Sequence, residues 1–418
     1  MGLKVSRQHF NNSQRVENMK KMMNVLCAMT LTMVVSAGCG TNNAATEAPA
    51  VTSGTKAAAP AAAPKKYELN LATAGDTNMT DLQEKNVVGE FQKQYPGSQV
   101  RVVNSGAGDG GTQKIFEKLK AQKDAGKTEW DIDLAIVHQS GMQQLIDNNL
   151  LDKWVPQSAN KQYVVSPDSK NSLGTNVEGY VIPLFHSQVA LAYNPDKVKK
   201  FPANFEELTA WIKANPNRFG YNGIKNGASG VAFATAYTYW KSGDYKTLSE
   251  GPFDAATEQK WPAIMKELKA LPVTYTNGNN GTLDMLNRGE IDMGPVWVDM
   301  FNLWVDEGRM NPNYGLKVID PGLPGQPMYV VIPKNAKNKE AALQYADLLT
   351  SPEIQAKVIV EKNSWYPGID ATVVLPKVSE AGKKKLFKDI TADDLNKRGQ
   401  SFPINTYFDH LKTAYEKN

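Results

Sequence analysis

Cysteine is nearly absent from this chain: its 418 residues contain two, Cys27 and Cys39. Beyond Cys39 no thiol remains for a disulfide, an iron–sulfur cluster, a thiolate zinc site or a cysteine nucleophile. Histidine is almost as scarce, and His138, His186 and His410 are too scattered for their spacing to argue a metal site. An excess of one charge is missing as well. The formal +4 is accounted for by Lys4, Arg7, Arg15, Lys20 and Lys21 against Glu17, so everything after the first 38 residues is close to neutral and offers no general attraction to nucleic acid. Neither G-x-S-x-G nor H-E-x-x-H occurs. What is present is 41% hydrophobic and 22% charged residues, which describes a globular chain, and a length that predicts about two domains or lobes.

One uncharged apolar run, Met22 to Gly38, follows the Lys20-Lys21 pair and ends in small residues. It is short for a span of roughly 20 residues and has the layout of a secretory signal. Met19-Lys20-Lys21 is a second good beginning for such a signal, so the start stays open between Met1 and Met19. Ser36-Ala37-Gly38-Cys39 resembles the lipobox of bacterial lipoproteins, with Ser36 where that motif usually has Leu. The resemblance implies a signal peptide over 1–38 and a lipidated Cys39. Residues 39–66, rich in Ala, Pro, Thr and Asn, then form a solvated tether without any bulky apolar anchor.

From Tyr67 the pattern alternates strand-like and amphipathic helical stretches. Lys66–Ala74, Ser98–Asn104 and Asp131–Val137 read as strands. Between them, helices are expected from Asp81 (Leu82, Val87, Val88 and Phe91 inward) and from Thr112 (Ile115, Phe116 and Leu119 inward), with a short one over Ser140–Asn148. A β-α-β-α-β series predicts a parallel sheet with helices on both faces, and ligands then sit beyond the carboxyl ends of the strands. Three polar loops fall there: 74–78, 105–111 and 138–141.

Some motif matches carry no chemistry. Gly106–Gly111 spells G-x-G-x-x-G, but Asp131 and Asp133 lie at the start of the next strand instead of its end. Ala121–Thr128 satisfies a relaxed phosphate-loop pattern but follows a helix, and Ser158-Ala159-Asn160-Lys161 lacks the partner motifs of an S-x-x-K enzyme. No catalytic constellation can be assembled.

Val181–Asp196, with Pro183 and a strand ending in Tyr193-Asn194, resembles the hinge segment of extracellular solute-binding proteins, the receptors of ABC importers. Phe201–Leu208 is similar to the P-x-T-x-E-E-L helix after that hinge, with Asn204 for Thr. Leu286–Met293 is similar to the later G-E-I/V-A-M strand, with Asp292 for a small residue. Pro321–Gln326, Met328–Ile332, Asn338–Ala342 and Leu348–Gln355 continue the match in order. Asn215–Tyr221 and Ser229–Phe233 resemble a subgroup near thiamine- and oxyanion-type receptors.

The resemblance implies an α/β, two-lobed fold of periplasmic-binding-protein type II, each lobe a mainly parallel sheet, joined by crossing hinge strands. Lobe 1 is expected over 67–183 plus about 326–370, and lobe 2 over about 184–325 plus about 371–418. It implies a monomeric binding receptor, not an enzyme, with no cofactor or metal, anchored by lipid to the outer face of the cell membrane. Such a receptor captures a sugar, an oxyanion-bearing or a thiamine-like solute and hands it to ABC permease subunits. An exported enzyme and a ligand-sensing lipoprotein are the alternatives. Expected ligand contacts are Asp76, Asn78, Gly108, Thr112, Gln139, Ser140, His186 and Gln188, with Ser229, Gly230, Trp297, Asp299 and Tyr366 from the opposite side. Trp297 and Tyr366 suit stacking on a flat ligand.

Overall fold

The computed structural model describes residues 65–75, 77–106, 108–225 and 227–418. The expected signal, lipid site and most of the tether lie outside these residues. Strands come in the order β1 (Glu68–Ala74), β2 (Gln99–Gly106), β3 (Leu134–His138), a small hairpin of β4 (Asn171–Ser172) and β5 (Thr175–Asn176), and β6 (Val181–Tyr193). They continue with β7 (Gly220–Tyr221), β8 (Thr274–Tyr275), β9 (Met293–Trp297), β10 (Gly315–Lys317), β11 (Leu323–Val331), β12 (Tyr366–Pro367) and β13 (Gly399–Gln400). The main sheet runs β10-β6-β11-β3-β1-β2, with β9 and β12 also on β6 and β13 on β11.

β1, β2 and β3 are parallel, as their helical crossovers require, and β11 enters antiparallel between β3 and β6. The helices start earlier than the periodicity predicts. A continuous helical run begins at Thr77, and the next helix spans Gly108–Asp124, because small polar residues before Asp81 and Thr112 are absorbed as first turns. In the second half β6 pairs antiparallel with β9 and β10, while β7 and β8 pair in parallel. The mixed pattern follows from β6 itself, which reaches this half from the first one and so sets its own direction.

Period-two alternation sorts the core. Leu69, Leu71, Leu134, Ile136, Met328 and Val330 pack on one face of the first half, and Ala72, Ala74, Ala135, Val137, Tyr329 and Val331 on the other. In the second half Val189 and Leu191 join one cluster and Ala190 and Ala192 another. Thirteen residues long, β6 feeds both halves. One irregularity interrupts it: Met328 faces Phe185 but Tyr329 faces Pro183, leaving Leu184 as an extra residue. Such a bulge reverses the face on which every later side chain of the strand points.

Val374, Val378 and Leu386 pack into the first half's core, whereas Ile390, Phe402 and Tyr407 belong to clusters of the second. Core membership passes from the first half toward the second after Leu386, while Leu395 still packs against clusters of both. Apolar spacing alone does not announce that crossing. No helix among the described residues is long and apolar enough to cross a membrane.

Candidate binding cleft

The carboxyl ends of β1, β2 and β3 turn directly into helices, and those turns form one wall of a cleft of about 620 Å3. The Gly75 N–H donates to the Gly106 carbonyl over 2.8 Å, joining two of the turns. Close packing there demands glycine: a Cβ at Gly111 would sit 2.0 Å from the Gly106 carbonyl oxygen. Gly75, Asn78, Gly108, Asp109 and Gly110 line the cleft on this side, with His138 at the end of β3.

The opposite wall comes from the start of the Ala228–Ser242 helix, the Asn277–Asn280 segment that opens the Gly278–Asn287 helix, and the end of β9. Asn279 accepts the Trp297 backbone N–H at 2.8 Å, which fixes Trp297 at the junction of β9 and the Val298–Asp306 helix. Asn78 Nδ2 reaches Met300 Sδ at 3.6 Å, a contact between the walls.

Phe185, Ser187 and Trp365 form the floor, beside the crossing strands. The Phe185 and Trp365 rings stack with centroids 4.0 Å apart and planes 3° from parallel. Asp299 reaches this floor from the second half. It is only 7% exposed, and its carboxylate accepts hydrogen bonds from the Ser187 hydroxyl and the Trp365 indole. Burial pushes its pKa up to about 6, against the lowering effect of those donors.

Of the residues expected to contact ligand, Asn78, Gly108, Trp297 and Asp299 line the cleft. Asp76 and Cys39 lie outside the described residues. The other eight are placed elsewhere, and each displacement has a local cause.

The bulge at Leu184 turns Ser187 toward the cleft, so His186 faces Asp168 with Nδ1 and Oδ2 3.5 Å apart. Gln188 is buried between strands, its amide donating to the Leu323 and Val189 carbonyls at 2.7 and 2.9 Å. Tyr366 likewise follows the cleft-lining Trp365 and is buried, 6.0 Å from the Phe387 ring.

Thr112 is buried because its hydroxyl accepts the His138 N–H at 3.0 Å and pins β3 to the helix. Gln139 is buried under the hairpin, where its carbonyl accepts the Ser172 hydroxyl at 3.1 Å. Ser140 donates to Asp109 at 2.6 Å in a neighbouring polar groove shared with Asn405, Asp409 and Lys412. Ser229 donates to Asn222 at 3.0 Å, and a Cβ at Gly230 would lie 1.8 Å from the Gly223 carbonyl oxygen, so both face the protein and leave Ala228 and Val231 to the cleft.

Residues 76–356 match the family model of bacterial extracellular solute-binding proteins. The chain belongs to that family. Its solute-binding relatives include the putrescine-binding periplasmic protein SpuD of Pseudomonas aeruginosa (strain UCBPP-PA14), 26% identical over 282 residues, covering 63% of this chain and 71% of that one. Among solved structures, maltose-bound MalE3 of T. maritima aligns with a TM-score of 0.64 at 16% identity, over 84% of this chain and 95% of the other. A spermidine/putrescine ABC transporter substrate-binding protein, PotD of Streptococcus pneumoniae, gives 0.60 at 14% identity, over 84% and 99%. Both structural likenesses carry the two-lobed fold. The chain is thus a bacterial extracellular solute-binding protein by family.

Proposed function

We propose that the chain is an exported, lipid-anchored monomeric receptor that closes its two halves over one small polar solute and presents it to permease subunits. The observation that carries this reading is a single cleft lined by helix starts of both halves and floored by the crossing strands. A ligand touching both walls favours the closed arrangement, because only that arrangement supplies all of its contacts. The importer then distinguishes a loaded receptor from an empty one by the geometry of the two halves. Sugars, oxyanions and thiamine-like compounds suit a cleft of this size, and the name of SpuD adds amines to that set.

Lipid at Cys39 follows from the lipobox resemblance and gives the cleft a tether of about 27 residues before the body. Replacing Cys39 with Ser is expected to move the protein from the membrane fraction to the soluble one, as read by fractionation.

Thermal unfolding of the purified protein against sugars, oxyanions, thiamine and putrescine tests the receptor reading. A true ligand at about 100 times its Kd adds roughly 2.7 kcal/mol to the native state and is recovered chemically unchanged. Turnover of the compound, or no shift with any class, would count against a receptor.

A further inference from the structure

Among the described residues, the cleft is lined by two carboxylates, Asp109 and Asp299, and by one Lys or Arg, Lys225. Asp109 and Lys225 are exposed at its edge, whereas Asp299 is buried on its floor. The partners of Asp299 among the described residues are neutral donors: the Ser187 hydroxyl, the Trp365 indole and its own backbone N–H. A carboxylate taken out of water without a countercharge is unfavourable, and hydrogen bonds from neutral groups offset only part of that cost. The countercharge has to come as a proton or from the cleft itself. Beside amide side chains such as Asn78, Asn279 and Gln326, the same cleft carries the rings of Phe185, Trp297 and Trp365 and the thioethers of Met79, Met300 and Met328, with Trp365 reaching Asp299 itself. Such surfaces hold a poorly hydrated cation well, through ring faces and polarisable sulfur.

An oxyanion would lie against the Asp299 carboxylate with no buried cation to offset the repulsion. A sugar would present many hydroxyls to a floor whose polar groups are already committed to one another. Resting on the receptor reading above, we infer that the solute carries a cationic nitrogen, a protonated amine or a quaternary ammonium, seated on Asp299 with its apolar or flat body against Trp297, Phe185 and Trp365.

Matched pairs of equal skeleton test this: putrescine with 1,4-butanediol, phenethylamine with 2-phenylethanol, and choline with 3,3-dimethylbutanol, plus maltose, sulfate and phosphate as outgroups. Titration calorimetry on the purified protein is expected to show binding of at least one cation, and binding of its neutral twin weaker by about a hundredfold or more. Asp299→Asn is expected to remove that difference. If this variant does not fold, the pairs still decide, since they compare two ligands of one shape on one protein. Preference for phenethylamine over choline assigns a protonated amine, and the reverse a quaternary one. Equal binding of charged and neutral twins overturns the inference, as does Asp299→Asn that keeps the preference. Binding of maltose or an oxyanion alone removes it while leaving the receptor reading intact. Silence from every compound removes both.

Discussion

On the side of the first half, the cleft is walled by backbone: glycine-rich turns, helix starts and one exposed carboxylate on Asp109. On the hinge side it is walled by side chains, with the Phe185 and Trp365 stack and the buried Asp299 tied to Ser187. Backbone amides at turns accept many polar shapes, because they present the same group whatever the sequence. A buried carboxylate among rings does not, because its charge and the ring planes admit few partners. On the receptor reading proposed above, selectivity belongs to the hinge wall, and the turn wall serves to complete the enclosure. Because Ser187 lies on β6, the selective wall is also built on a strand that the two halves share.

Breaking the turn wall should cost most. Gly111→Ala forces a methyl into the Gly106 carbonyl and is expected to lower folding stability by about 3–5 kcal/mol, measured as a fall in the urea midpoint. The hinge wall should respond in the opposite sense. Asp299 holds its proton more tightly when folded, since burial raises its pKa from 3.8 to about 6. Its contribution to stability is thus largest in acid and is lost as pH rises through about 6. The ligand-free Asp299→Asn variant should accordingly be more stable than the native protein at pH 7, by up to about 3 kcal/mol. That gain should shrink toward zero as pH falls to 4, in urea melts run at each pH. A constant difference across pH would mean that the carboxyl does not titrate in this window.

Smaller effects sharpen the contrast. Trp297→Ala removes a half-buried ring from the cleft and is expected to weaken ligand binding about tenfold while moving stability by no more than about 1 kcal/mol, as read by titration and melting together. Ser140→Ala deletes an exposed hydrogen bond to Asp109 and should change stability by about 0.5 kcal/mol at most, with affinity unaltered. A large loss of affinity there would place the polar groove beside the cleft within the binding site.

How far the site could be read from sequence follows the same division. The β-α-β alternation and the small polar loops point to the turns at Asn78 and Gly108, which line the cleft, and Trp297 and Asp299, expected after a strand, line it as well. His186 and Gln188 were displaced by one residue each, because no composition signal marks the bulge at Leu184 that exchanges the two faces of β6. Trp365 was missed for its neighbour Tyr366, in a stretch too short for alternation to show. Asn277–Asn280 was missed too, although its Asn and Gly cluster ahead of an apolar-periodic segment has the composition of a helix start. Ser229 and Gly230 show the limit of helix-start reasoning: both open a helix, yet they pack against Asn222 and Gly223 instead of facing the cleft.

The indoles of Trp297 and Trp365 have one more consequence. Of eight tryptophans in the chain, these two line the cleft, while Trp130, Trp154, Trp261 and Trp304 are buried in the cores. Occupancy of the cleft changes the surroundings of the first pair and leaves the four core indoles as a steady background. The protein carries its own optical reporter, so intrinsic emission after rapid mixing gives the rates of capture and release without a label.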